Sequence, residues 1–230
     1  MILAAALLAG TLAQLGGVES ATRRSIPADE SVLDTVLASL EPEDDPSPRF
    51  VLRSDYVLRL RTELATRGAP NALHVRVDDT VSAAVLEQLM AEFVVTREAQ
   101  RAELDGVDAE ELGAARARIV ARLGDVGGTE ALLRETGASA AEFDALLRRQ
   151  VVCERYLLSR HPELLEPADD EVREALEADR FAAVVPAGAT PADSRARVRA
   201  ELVHRALPRA LRQYLRGLGS RVRVRRFHDE

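Results

Sequence analysis

Apolar residues recur at helical spacing through most of this chain, and glycines, prolines and capping residues break the pattern into segments. The clearest segment opens at Ser139 and Glu142, an S-x-x-E capping box in which the hydroxyl and the carboxylate each satisfy a free backbone N–H. At about 100° per residue, Phe143, Leu146, Leu147, Val151, Leu157 and Leu158 fall on one broad face that other helices must cover. His161-Pro162 ends this helix, because a residue before proline is pushed out of the helical region. Asp169 is then expected to cap a helix over Asp170–Asp179, with Phe181 just beyond it.

The same signals parse the rest of the chain. Ser31–Leu40 fits neither helical nor strand period cleanly. With the acidic, proline-rich loop Glu41–Pro48 and the apolar Phe50–Leu52, it reads best as two strands joined by a long loop. Ser54 is the expected N-cap of a helix to about Arg67, closed by Gly68 and Pro70. After a linker over Asn71–Asp79, a longer helix starting at Asp79 or Thr80 runs to about Leu104. Its residues Val85, Leu86, Leu89, Met90, Phe93 and Val94 leave little polar face, which predicts a central position. Asp108 and Glu111 form a second capping box for a helix to Leu123, and Gly124–Gly128 stops it. Thr129 begins a short helix closed by Gly137. Thr190 and Pro191 give an N-cap followed by proline at the first helical position, for a helix continuing to about Leu218. Pro208 is expected to kink or break it. The tail Arg221–Phe227 alternates as a half-buried strand does.

Composition agrees with a helical chain large enough for a substantial core: 230 residues, 47% hydrophobic, only 3% aromatic, with no Trp. Every one of the 31 basic residues is Arg, and the net charge of -7 argues against a general nucleic-acid binder. The run Met1–Ala13 is apolar but shorter than the roughly 20 residues that span a bilayer. It reads as a signal peptide over 1–20, with Val18 and Ser20 as the small residues before cleavage, followed by a mobile linker over 21–30. No Arg precedes Arg23, so either the true start lies upstream or the run is a buried N-terminal helix, which would leave the protein in the cytoplasm.

Candidate chemistry is sparse. The lone Cys153 lies at a helix core position and reads as a small buried hydrophobe. Gln150 and Glu154 share the apolar arc of the Ser139 helix, and Glu154 is expected to be partly exposed or paired with an Arg. His74, His161, His204 and His228 lie far apart without ligand spacing and read as surface or helix-end residues. The loop Gly124–Thr129 lacks the Lys and preceding strand of a phosphate cradle, so helix termination explains it. No catalytic residue, metal ligand or cofactor site is expected.

The ordered series resembles the N-terminal chaperone domain of the SurA family of periplasmic folding factors and related parvulin-type prolyl isomerases. The likeness is carried by Glu142–Leu157, with Leu146, Leu147, Arg148, Arg149, Gln150, Glu154, Arg155 and Tyr156, then by Asp169–Phe181. V-L-R-S-D-Y-V-L-R-L at Val51–Leu60 resembles that family's first helix after its β-element, and R-A-R-V-R-A-E-L at Arg195–Leu202 its returning segment. The resemblance implies a mainly α fold in one domain over 31–230. Core helices lie over 54–180, the returning helix and strand over 190–227, and a small β-element pairs N-terminal and C-terminal strands. It also implies an exported, periplasmic protein that holds unfolded or extended polypeptides, outer-membrane proteins among them. Parvulin modules in that family begin shortly after the Phe at the position of Phe181. Here the interval to Thr190 is far too short for one, so no isomerase activity is expected.

Aromatics and Met are scarce, so any groove is expected to be aliphatic, and its residues cannot be named from sequence. Two rival readings differ in class. Ser194–Arg226 holds eleven Arg against the single acid Glu201, a stripe able to neutralise nucleic-acid phosphates. A docking subunit with one fixed protein partner is the other.

Overall fold

The computed structural model describes residues 34–43, 47–124, 127–178, 181, 185–186 and 188–227. The expected signal peptide and linker over 1–30 lie outside the described residues. Thr35–Glu230 cluster as one unit.

The described chain is mainly helical with one small antiparallel sheet. In order it forms β1 (Val36–Pro42), β2 (Arg49–Leu52), α1 (Arg53–Thr66), α2 (Asp79–Arg101), α3 (Ala109–Leu123), α4 (Gly128–Thr136), α5 (Ala140–Arg160), α6 (Pro162–Leu165), α7 (Asp169–Glu177) and α8 (Pro191–Leu218). A 3₁₀ turn at Gly219–Arg221 then leads into β3 (Val222–Arg226).

Where capping chemistry is local, the helices start where the sequence says. At α3 the Glu111 N–H donates to Asp108 Oδ1 at 2.8 Å and the Asp108 N–H to Glu111 Oε2 at 3.1 Å. At α5 the Ser139 N–H donates to Glu142 Oε2 at 2.6 Å and the Glu142 N–H to Ser139 Oγ at 3.2 Å. Thr190 caps α8 by accepting from the Asp193 N–H at 3.1 Å. His161 ends α5, as its place before Pro162 requires.

Other boundaries differ, each for a tertiary or neighbouring reason. Ser54 is not the cap of α1: the strand β2 runs straight into the helix, and the Arg53 N–H donates to the Thr35 carbonyl at 2.8 Å. Helix α2 does start at Asp79, with Asp78 as its cap, accepting from the Val81 N–H at 2.8 Å. That helix stops at Arg101, where Glu103 turns left-handed (φ 56°) and the Leu104 N–H closes back on the Ala99 carbonyl at 2.8 Å. Helix α4 begins at Gly128 after Gly127 at φ 88°. Asp169 lies inside α7 rather than capping it, and Asp169, Asp170 and Glu171 place three carboxylates against the positive end of the helix dipole.

Of the kink or break expected at Pro208, the break does not occur: α8 continues through it as one helix. Proline removes one backbone bond, but Val203 and Leu207 before it and Ala210 and Leu211 after it are buried in one cluster with α2 and α5. That continuous apolar stripe outweighs a local defect of about 3 kcal/mol.

The sheet order is β2-β1-β3, both pairings antiparallel, so a strand near the start of the described chain is joined to one at its end. Ala38, Leu40 and Val51 bury one face of it on Leu89, Met90 and Val94 of α2. This gives α2 its central place: one stretch meets the sheet, while Ala91, Val95 and Ala99 meet α5 and α8. Helix α5 also serves two cores. Phe143, Leu146 and Leu147 pack with Leu58, Ile119, Leu123 and Leu132, whereas Val152, Cys153, Tyr156 and Leu157 pack with α2 and α8. The buried arc therefore widens along the helix, and Val151 and Leu158, expected on it, are left half-buried and exposed respectively.

Candidate functional site

Among the clefts lined by the described residues, two bring candidate chemistry together. The larger, of about 810 Å³, lies where α2, α5, α6 and α8 end beside β1 and β3. Its wall is aromatic despite the scarcity of such residues in the chain. Tyr156 and Tyr214 meet edge to face with ring centroids 6.1 Å apart, and the His161 ring lies 5.0 Å from Tyr214 and 6.2 Å from Tyr156. The two phenols share a hydrogen bond at 3.4 Å. Burial, then the bond to Tyr156, raises the Tyr214 hydroxyl well above its ordinary value, so it remains a neutral donor. Leu164, Leu218 and Val222 extend the apolar wall, while Glu43, Glu98, Arg101 and Arg221 stand around it with charges of both signs.

Local sequence explains how these rings converge. Pro162 ends α5 one residue after His161 and restarts the chain as α6, turning His161 and Leu164 towards the C-terminal part of α8. Helix α8 carries Tyr214 there because Pro208 does not break it. The expected aliphatic groove is thus corrected: two of the three tyrosines lie in one cleft.

The second cleft, of about 380 Å³, is lined from α1, α3, α5 and α8 and is walled by charge. Arg59, 3% exposed, donates through Nε to Glu92 Oε1 at 2.8 Å and pairs through Nη1 with Glu63 Oε2 at 2.8 Å. Glu92 is fully buried and also accepts from Gln88 Nε2 at 3.2 Å. Arg67 pairs with Glu63, and Arg122 and Arg205 both pair with Glu201. Burial opposes its charge, but Arg59 and Arg67 hold the Glu63 carboxyl below the ordinary range. Arg205 also stacks on the buried ring of Phe181, 4.5 Å from its centroid.

The remaining singled-out residues fall as follows. Cys153 is fully buried, and desolvation together with the nearby Glu92 charge raises its thiol far above the reactive range, so it is an inert core residue. Glu154 pairs with Arg118 at 3.8 Å, and burial holds its carboxyl above the ordinary value. His74 is a surface residue near Glu135 and His161 a helix-end residue near Glu163, and His228 lies outside the described residues. His204 departs from its surface reading: it sits mid-helix, half-buried in the charged cleft, where burial and then Arg118 and Arg122 lower its value to about 4. Along the Arg-rich stripe, Arg199, Arg205, Arg216, Arg223 and Arg225 are each paired with acids of this chain. Among the described residues no group of His, Cys, Asp and Glu has metal-site geometry, and no helix is long and apolar enough to cross a membrane.

Compared with protein-family models, curated proteins and solved structures, the chain shows no match.

Proposed function

We propose that this protein is a non-catalytic chaperone-like factor that holds unfolded or extended polypeptide segments, in the exported setting that the SurA resemblance implies. The observation that carries the reading is the tyrosine cleft. Its volume of about 810 Å³ accommodates large apolar side chains, and its aromatic rings carry a polar tip over an apolar body. Such a wall binds aromatic and aliphatic residues without demanding one sequence. The rim, with Glu43 and Glu98 facing Arg101 and Arg221, suits a backbone flanked by either charge. The arginine stripe is a weaker basis for nucleic-acid binding, since five of its guanidiniums are already engaged within the chain.

The test is suppression of aggregation of an unfolded outer-membrane protein, run beside a proline-isomerisation assay. Wild type is expected to suppress aggregation without accelerating isomerisation. Leu164→Asp, which puts a charge on the half-buried apolar wall, is expected to lose suppression while keeping its Tm within a few degrees. Accelerated isomerisation, or full suppression by Leu164→Asp, would sink the proposal. Failure of wild type to suppress aggregation would favour a docking subunit with one fixed partner.

A further inference from the structure

The charged cleft contains polar groups that its ion pairs do not use. Thr62 is 1% exposed and lines the cleft, yet its hydroxyl has no hydrogen-bond partner among the described residues. Gln150, 8% exposed, and His204 line the same cleft, and neither side chain makes a hydrogen bond among the described residues. A buried hydroxyl without a partner, an amide and an imidazole thus meet around one space. Buried polar groups are ordinarily paired, so such a convergence points to a partner outside the chain.

Charge identifies that partner. Four guanidiniums, Arg59, Arg67, Arg122 and Arg205, are shared among three carboxylates, Glu63, Glu92 and Glu201. The excess of one positive charge matches a monoanion, and a dianion would overshoot it. The His204 imidazole, kept neutral in this positive surrounding, can donate or accept.

We propose that this cleft is a binding site for a monoanionic carboxylate with a neighbouring N–H or O–H donor. The carboxylate lies against Arg122 and Arg205, and the donor meets Thr62 and Gln150. A polypeptide C-terminus and a small free hydroxy acid share this chemistry. The site does not depend on polypeptide holding in the tyrosine cleft, and either can fail without the other.

Calorimetry on the full chain at fixed ionic strength tests it with N-acetyl-Ala-Ala, its C-terminal amide, lactate and orthophosphate. The free acid is expected to bind saturably with one site, at least tenfold tighter than the amide. Thr62→Val and Gln150→Leu are each expected to weaken binding roughly tenfold while leaving Tm unchanged or raised, because neither side chain has a hydrogen-bond partner among the described residues to lose. A purely structural role would not move affinity in that way. Binding of the peptide acid alone assigns the site to polypeptide C-termini, and binding of lactate as well assigns it to small acids. Either supports the proposal. Absence of saturable binding by both acids, equal binding of acid and amide, preference for phosphate, or wild-type affinity in both variants would overturn it.

Discussion

The two clefts share walls on α5 and α8 but are built on opposite chemistry. The tyrosine cleft is open apolar surface with charge kept to its edge, so its shape is set by ring against ring. The charged cleft is held by ion pairs that cross between α1, α2, α3 and α8, and its core pair, Arg59–Glu92, is almost wholly out of water. Buried pairs of that kind fix geometry more than they stabilise, because desolvation consumes most of the Coulombic gain. The comparison teaches that one part of the molecule suits tolerant binding, and the other suits a ligand of defined charge.

Breaking the charged side has the largest expected effect. Arg59→Met leaves Glu92 buried without its cation and is expected to destabilise the fold by about 3–5 kcal/mol in urea unfolding. The double variant Arg59→Met/Glu92→Leu is expected to recover most of that loss. If the single variant is nearly neutral, the pair is not the clasp described.

The pH response comes next. The folded value of His204, about 4, lies below its ordinary value of about 6.5. The unfolded chain therefore takes up a proton that the folded chain refuses. This contribution is fully present above about pH 6.5, is lost as pH falls towards 4, and is flat below that, with an upper bound of about 3 kcal/mol. Glu201 favours the charged ring, while burial and Arg118, Arg122 and Arg59 oppose it. Comparing stability curves of wild type and His204→Gln over that window isolates the effect, and identical slopes would refute it.

The smallest expected effect lies outside both clefts. Ser139→Ala removes the α5 capping box and is expected to cost about 1 kcal/mol, without changing client holding.

What the sequence made legible was local. The capping boxes at Asp108 and Ser139, the stop at His161-Pro162 and the alternation of β3 depend on residues a few positions apart. The alternation survives because Val222 and Val224 turn towards α2 and α8 while Arg223 and Arg225 reach Glu41 across the strand pair. The caps of α1 and α7 were misread because strand continuity at Arg53 and an acidic first turn at Asp169 replace a side-chain cap. The clefts were illegible for a different reason. Arg59 and Glu92 are 33 residues apart, and Tyr156 and Tyr214 are 58 apart, so neither pairing leaves a periodic trace. One signal was present: Gln150 on an apolar arc announced a polar cavity, and it lines the charged cleft.

The absence of Trp makes the central claim directly measurable, since two of the three tyrosines line the larger cleft. An extended peptide free of Tyr and Trp, titrated into the full chain, should produce a saturable change in tyrosine emission as its side chains cover Tyr156 and Tyr214. Emission that stays unchanged at peptide concentrations sufficient to suppress client aggregation would contradict polypeptide holding in that cleft.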